Sequence, residues 1–471
     1  MPPGSRRRRG AGSPACCVES HLDISLLRDT LPLPKNVATT GDAAGKTARA
    51  TPWRRMAVIN AAYAAARLAG WARPVRRGAA APLAANTASP GISVVIPSRD
   101  GKALLEAQLP GIVADLAGIP GEIVVIDNGS SDGTAEWLRS IYPQLIIEVS
   151  PEPLSFAGAV NHGIRRARFS CVCLLNNDMR IEPGFFTALR AAFRTVPDLF
   201  CATAQIRFPP GVRREETGKA VMAQAAPEDF PVRCDEPLAG EDGTWVLYGS
   251  GGCSAFDAGK LRALGGVDEA YAPAYVEDLD LGYRAWLRGW PSVYVAGAVV
   301  EHRHRATTSR YYSQEQLATM LEINYLRFLA RAVASPQVFR RLWRQALDRL
   351  RLRAASDPAA RSALRGAARI ALAGGTVHEP AAGEESLLAL TDGSVACFPG
   401  RAATGKPPVL VTARGFESAT SDVEGDAVLL VRVNQLEPPP ANLLSRYAEI
   451  VEARTDAAFD VAAQWIQHRR R

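Results

Sequence analysis

The chain has 471 residues, 47% apolar and 22% charged, values of an ordinary folded protein with room for about three or four domains at ~150 residues each. Its net charge of +7 is local: residues 1–90 hold 14 Lys/Arg against 4 Asp/Glu, and the remaining 381 hold 41 against 44, so the folded part lacks the footprint of a nucleic-acid binder. Eight cysteines without a Cys-x-x-Cys pair or a ligand-like spacing to histidine exclude a zinc module and a disulfide framework.

Residues 1–55 are rich in Arg, Gly, Pro and Ser with no sustained periodicity, and read as a disordered basic tail. Residues 56–90 open with Met56, Ile59, Tyr63 and Trp71 at roughly helical spacing between basic ends. They are expected to form an amphipathic helix and linker, suited to a membrane interface or to packing on the main domain. No run is long and apolar enough to cross a bilayer, which favours a cytoplasmic protein and leaves peripheral contact with the inner face of the membrane open.

From residue 91 the pattern changes. Short Val/Ile-rich runs, Ile92–Ile96, Glu122–Ile126, Leu145–Val149, Cys171–Leu175 and Phe200–Ile206, alternate with helix-like stretches. Apolar runs joined by helices predict an α/β fold with a mostly parallel sheet flanked by helices. Ligands of such sheets bind beyond the carboxyl ends of the strands, so the chemistry is sought there.

The first strand ends at Pro97, followed by Ser98, Arg99 and Asp100. The second stops on Asp127 and enters the turn Asn128–Gly133, in which Asp132 is placed to cap the next helix. A carboxylate at Asp127 can accept hydrogen bonds from a base or from ribose hydroxyls. The fourth strand ends in Asn176, Asn177 and Asp178, where an acid can hold a cation that bridges a diphosphate. Further on, "YVEDLDLGYRAWLRGW" sets Glu277, Asp278 and Asp280 ahead of a helix, in the turn where the helix dipole favours acids. "SVYVAGAVVEHRHRATTS" brings His302 and His304 after strand-like runs, and "GSGGCSAF" packs glycines before a helix starting near Asp257.

The strand ending in Pro97, "VVIDNGSSDGT", "LLNND" and "EDLDLGYRAWLRGW", in this order over Ile92–Leu329, resemble the family 2 glycosyltransferases of GT-A fold, nearest to the rhamnosyltransferase-like bacterial members. The resemblance implies a metal-dependent, inverting enzyme of cell-surface polysaccharide synthesis. Such an enzyme moves a sugar from a nucleoside diphosphate donor to a glycan or lipid-linked acceptor. It implies that Pro97, Ser98, Asp100, Asp127, Asn161, Asn176 and Asn177 line the nucleotide site and that Asp178 and His302, with His304 in reserve, hold Mg2+ or Mn2+. Asp278 would then be the general base, with Glu277 orienting it or the acceptor, and the glycines near residue 250 would border the acceptor. Asn176 stands where the family usually has the first Asp of its metal signature. That departure motivates a second reading, a catalytically silent module that binds sugar nucleotides or glycans; nucleotidyl transfer is disfavoured because no early Gly-rich loop with Arg and Lys grips a triphosphate.

The expected domain spans residues 91–330. A basic helical segment over 331–374 follows, carrying ten Arg against two Asp from Arg331 to Arg369. Residues 375–471 read as a small α/β unit with strands at Val409–Thr412, Val428–Val433 and Glu449–Glu452 and a helix at Asp456–Gln467. Its "PPPANLLSRYAEIVEARTDAAF" is faintly similar to the amino-terminal half-domain of GT-B glycosyltransferases.

Overall fold

The computed structural model describes residues 52–78, 81–84, 88–196, 198–207, 214–215, 242–302, 311–377, 384, 392–401, 408–419 and 426–469. The basic tail up to residue 51, most of the loop between Arg207 and Trp245, and His304 lie outside them.

The chain begins with α1 (Pro52–Trp71) and the short β1 (Val75–Arg77). The first half of the α/β region then runs β2 (Ser89–Ser98), α2 (Lys102–Asp115), β3 (Gly121–Asp127), α3 (Thr134–Ile141), β4 (Ile146–Val149), α4 (Phe156–Arg166) and β5 (Phe169–Leu175). The second half follows as β6 (Met179–Ile181), α5 (Phe185–Thr195), β7 (Cys201–Arg207), β8 (Arg214–Glu215), β9 (Thr244–Val246), β10 (Cys253–Asp257), α6 (Ala258–Ala263), α7 (Glu277–Leu287) and β11 (Ser292–His302). Three helices come next, α8 (Gln314–Ala332), α9 (Pro336–Arg353) and α10 (Pro358–Ala373), then β12 (Gly375–Val377), β13 (Asp392–Pro399), β14 (Pro408–Arg414), β15 (Asp426–Arg432), β16 (Glu449–Ala453) and a final helix Asp456–Arg469.

One 14-stranded sheet carries the order β14-β15-β16-β13-β9-β11-β7-β10-β5-β2-β3-β4, with β6 and β8 paired at its side. Pairing is parallel across β5-β2-β3-β4, across β7-β11 and across β14-β15-β16. Between these blocks the strands are antiparallel, because β10 lies against both β5 and β7 and β13 and β9 join the later strands to β11. The sheet is therefore mixed, with parallel order kept where right-handed crossovers supply it. β10 escapes a sequence reading because its flanking glycines mask a five-residue run.

Four of the five runs predicted as strands are buried on both faces, while the edge strand β4 is half-buried and leaves Val149 exposed. Val94, Val95, Ile96, Val124, Val125, Ile126, Val172, Cys173 and Leu175 are all sealed from solvent, as helix-covered parallel strands require. Burial pushes the Cys171 thiol up to about 12 and holds Cys173 and Cys201 well above the usual thiol range, so these cysteines act as small core residues.

The carboxyl-terminal strands extend the main sheet through β13 and β9. Trp465 of the final helix packs edge-on to Trp245 at 4.7 Å between ring centres, and against Trp286 at 5.5 Å, a cluster of geometry suited to aromatic contact. α1 packs on α10 and α9, burying Ile59, Ala66 and Ala69 and leaving Trp53, Leu68 and Trp71 exposed. β1 pairs in parallel with β12, Val75 facing Gly375, so the carboxyl ends of α1 and α10 lie together.

Candidate active site at the strand ends

Ser98 and Asp127 close neighbouring strands in direct register, and both are buried. Asp127 Oδ1 accepts the Ser130 amide at 3.1 Å, which folds the Asn128–Gly133 turn back over the strand end. Asn128 pins that turn to the next loop by giving its Nδ2 to the Leu154 carbonyl and accepting the Leu154 amide. Asp132 accepts the amides of Lys102 and Thr134, tying the starts of α2 and α3 together in the capping role expected of it.

Asp100 sits in the left-handed region at φ 45°. Its Oδ1 accepts the Ser131 amide at 2.7 Å and its Oδ2 accepts the Tyr311 hydroxyl at 3.0 Å. Burial pushes its carboxyl up, but these hydrogen bonds and the nearby Arg99 outweigh that and hold it below the usual range. Tyr311, which no sequence pattern flagged, also lies under the Arg99 guanidinium at 5.0 Å.

Asn177 reaches across from the end of β5 and donates its Nδ2 to Ser98 Oγ at 2.8 Å. This contact dictates Gly101: a Cβ there would stand 2.3 Å from Asn177 Nδ2 and 2.4 Å from Ser98 Oγ. Gln108 of α2 holds the same segment from behind, donating to the carbonyls of Asn176 and Met179 at 2.5 and 2.7 Å. A lone buried amide on an otherwise apolar helical stripe was the available signal for Gln108.

The carbonyl oxygens Oδ1 of Asn176 and Asn177 are buried without a hydrogen-bond partner among the described residues. Such an acceptor costs about 1–3 kcal/mol unless something donates to it, and a ribose hydroxyl has the right chemistry. The next residue, Asp178, faces His302, Oδ2 to Nε2 at 3.7 Å. β11 sets this pair by aligning His302 with Met179 of β6.

Asn176 also binds the other wall. Its amide donates to the Gly252 carbonyl at 2.8 Å, and a Cβ on Gly252 would lie 2.5 Å from Asn176 Nδ2. One residue earlier, the Gly251 amide points at Asp278 Oδ2 at 3.4 Å, while Asp278 Oδ1 accepts the Leu279 amide. One arm is thus lined up by the strand register of Asp127 and Ser98, the Ser98–Asn177 hydrogen bond and the 3.7 Å approach of Asp178 to His302, and on the other hydrogen bonds at Gly252 and Gly251 connect Asn176 with Asp278.

Glu277 and Asp278 open α7 behind an unusual turn. Tyr275 and Val276 both adopt left-handed backbone, φ 75° and 76°; for a β-branched residue this costs on the order of 1–3 kcal/mol and persists only when its surroundings enforce it. Asn324 of α8, fully buried, enforces it by giving its Nδ2 to the carbonyls of Tyr271, Ala274 and Tyr275. Asp280 faces inward instead: it accepts from Arg284 at 2.6 Å and from the Tyr271 hydroxyl. Burial pushes its carboxyl up despite Arg284.

Asn161 stands apart from this group. Its Nδ2 donates to the Val267 carbonyl and to Glu269, and its Oδ1 accepts the Val267 amide. Both halves of the amide are spent on joining α4 to the loop before α7, so contact with a nucleotide, expected from the sequence, gives way to scaffolding. Pro97 faces Ile126 one residue before the end of the ladder at Ser98, so the strand runs past the proline, which offers no polar side chain.

A divalent cation fits the Asp178–His302 pair in part. Among the described residues no three His, Cys, Asp or Glu side chains gather as a metal cage, but a carboxylate oxygen and an imidazole nitrogen meet at one strand end with two unsatisfied amide oxygens beside them. Such a donor set suits Mg2+ or Mn2+ whose shell is completed by phosphate oxygens.

The family model described as "Glycosyltransferase like family 2" matches residues 90–318. Over 217 residues the chain is 28% identical to the N-acetylglucosaminyl-diphospho-decaprenol L-rhamnosyltransferase of Mycobacterium tuberculosis, covering 41% of this chain and 69% of that protein. It is also 28% identical over 227 residues to the validoxylamine A glucosyltransferase of Streptomyces hygroscopicus subsp. jinggangensis, covering 43% and 53%. Among solved structures, a mannosyltransferase of Pyrobaculum calidifontis in complex with GDP-Man and Mn2+ aligns at 18% identity and a TM-score of 0.39, covering 67% of this chain and 96% of that one.

Proposed function

With residues 90–318 belonging to glycosyltransferase family 2, we propose that the protein is an inverting enzyme that moves a sugar from a nucleoside diphosphate donor to a lipid-linked or glycan acceptor of the cell surface. A single observation supports the assignment: acids and amides from four separate stretches of chain, Asp127, Asn176 to Asp178, His302 and Asp278, neighbour one another through Ser98, Gly251 and Gly252 at the strand ends.

Each residue then has a task. Asp127 and Asp100 receive the base and ribose, and the unpartnered Asn176 and Asn177 oxygens accept sugar hydroxyls. Asp178 and His302 would hold Mg2+ or Mn2+, which when bound neutralises charge on the departing diphosphate. Asp278, partly exposed at the mouth of the site, takes the proton of the acceptor hydroxyl as its oxygen attacks the anomeric carbon, a step for which a positioned carboxylate is suited. One displacement inverts the configuration. Glu277, buried beside it, steadies the turn and the acceptor. Asn161 keeps the α4 wall in place.

The exposed Trp53, Leu68 and Trp71 of α1, with arginines stacked on both tryptophans, support peripheral attachment to an anionic membrane surface. No described helix is long and apolar enough to cross a membrane.

Hydrolysis of UDP-, dTDP- and GDP-sugars with and without Mn2+ tests the enzyme. Turnover of one donor class that depends on added metal is expected. The second reading, a silent binding module, is favoured by the uncharged Asn176 and predicts saturable nucleotide-sugar binding with no turnover under any combination of donor and acceptor.

A further inference from the structure

Behind the turn that presents Glu277 and Asp278 lies a separate cavity of about 1160 Å³, walled by α8, α10 and the Ala270–Pro273 segment. Arg327, Arg331, Arg365 and Arg369 line it, and Glu315 is the single carboxylate among its described lining residues. Between the arginines the walls mix aliphatic Met320, Ile323 and Ile370 with polar Gln316, Thr319 and Ser362.

Two of the four cations have structural work. Arg331 is paired with Asp268 at 2.6 Å, and Arg327 donates to the Ala272 carbonyl and to Asn324. Arg365 and Arg369 stand one turn apart on α10, exposed, and neither meets a carboxylate among the described residues. Burial pushes the Arg327 guanidinium down; Tyr271 opposes this, and the neighbouring Arg331 and Arg369 add to it, so positive charge gathers on this wall. Gly366 keeps the space between them open, since a Cβ there would meet only Ile370 Cδ1 at 3.9 Å.

The cavity runs to Ala373 and Gly374, at the end of the helical layer where Leu68, Trp71 and Leu372 are exposed. β1 and β12 bring these residues to one end by pairing in parallel. A chamber with aliphatic patches, two guanidinium groups that meet no carboxylate among the described residues, and an apolar rim matches a ligand that carries a phosphate group on a hydrocarbon chain.

We propose that this cavity seats the diphosphate and first isoprene units of a prenyl-diphosphate acceptor lipid. Arg365 and Arg369 grip the phosphates, and the chain leaves past Leu372 toward the membrane. The site is distinct from the nucleotide rim and adjoins it through Asn324, which lines the cavity and holds Tyr275 ahead of Glu277. The acceptor's role in sugar transfer rests on the function proposed above; the binding of the lipid does not.

Farnesyl diphosphate, inorganic pyrophosphate and farnesol are titrated into the full chain by calorimetry, with the double variant Arg365→Ala/Arg369→Ala and with Gly366→Leu, which fills the space while leaving both arginines. Saturable binding of farnesyl diphosphate is expected, at least about tenfold tighter than either fragment and weakened at least about tenfold by both variants. Equal affinity for pyrophosphate, equal affinity for farnesol, no saturable binding, or binding untouched by both variants would overturn the proposal. Donor hydrolysis by the same wild-type preparation separates the two ideas: lipid binding without hydrolysis defeats the enzymatic reading alone, and hydrolysis without lipid binding defeats this one alone.

Discussion

Acids occupy one side of the turn at residues 271–276 and arginines the other, and the two sides satisfy their charges differently. Inside the scaffold, buried acids are matched to guanidinium groups: Glu322 takes both Arg349 and Arg353 at 2.6 to 2.8 Å, and Asp280 takes Arg284. At the strand ends, buried Asp127 has a single backbone amide among the described residues, and across the turn Arg365 and Arg369 have no described carboxylate. Burying charge is costly unless it is paired, so the buried Asp127 marks a place for a ligand to complete, whereas the exposed Arg365 and Arg369 carry no such cost and can meet an anion from solvent.

Removing the carboxylate at the mouth of the acidic side should have the largest effect. Asp278→Asn keeps size and the Leu279 amide contact but loses the base, so transfer should fall about a hundred- to ten-thousand-fold in kcat while nucleotide affinity is kept; steady-state kinetics beside nucleotide titration report both. Near-normal turnover would move the base elsewhere.

Next in size is the clamp between the two sides. Asn324→Leu strips three buried carbonyls of their donor and should cost roughly 2 kcal/mol or more of stability. Without it the left-handed Tyr275–Val276 turn relaxes, and kcat should drop about ten- to hundredfold with little change in donor KM. A loss of stability with unaltered kcat would make Asn324 a scaffold residue only.

A smaller change is expected on the nucleotide rim. Gly101→Ala drives a methyl into the Ser98–Asn177 contact, and donor KM should rise about tenfold with kcat nearly kept, since a clash of this kind costs about 1–3 kcal/mol. An unchanged KM would show that this contact is remote from the donor.

The mildest effect concerns an acid of the carboxyl-terminal strands that pairs with no cation among the described residues. Burial pushes the Glu452 carboxyl up to about 7 from its ordinary 4.5, so between these values the folded state keeps a proton that the unfolded chain releases. Stability should fall as pH rises through that window, by at most about 1.4 kcal/mol per pH unit, and level off above it. Glu452→Gln should flatten the curve of thermal melts from pH 4.5 to 8; an unaltered slope would assign the dependence to another group.

Much of the rim was legible in sequence because strand ends announce themselves there: "VVID" and "CLLNND" break from apolar to acidic within a residue, and β3 and β5 end at Asp127 and Leu175. The antiparallel β10 and the joining of residues 392–453 to the main sheet were not, since strand pairing over such separations leaves no local pattern. The partners of Asn161 were hidden for a related reason. An asparagine in a helix can face a ligand or a distant backbone, and only the fold shows that Val267 and Glu269 take both halves of its amide. Asn324 was silent because its partners are main-chain carbonyls about fifty residues away.

The rim itself is tested most directly by anomalous diffraction from crystals grown with UDP, GDP or dTDP and Mn2+. A manganese peak between Asp178 and His302, with the base against Asp127 and the diphosphate facing Asp278, is the predicted result. A nucleotide or manganese found at any other part of the sheet would contradict the account.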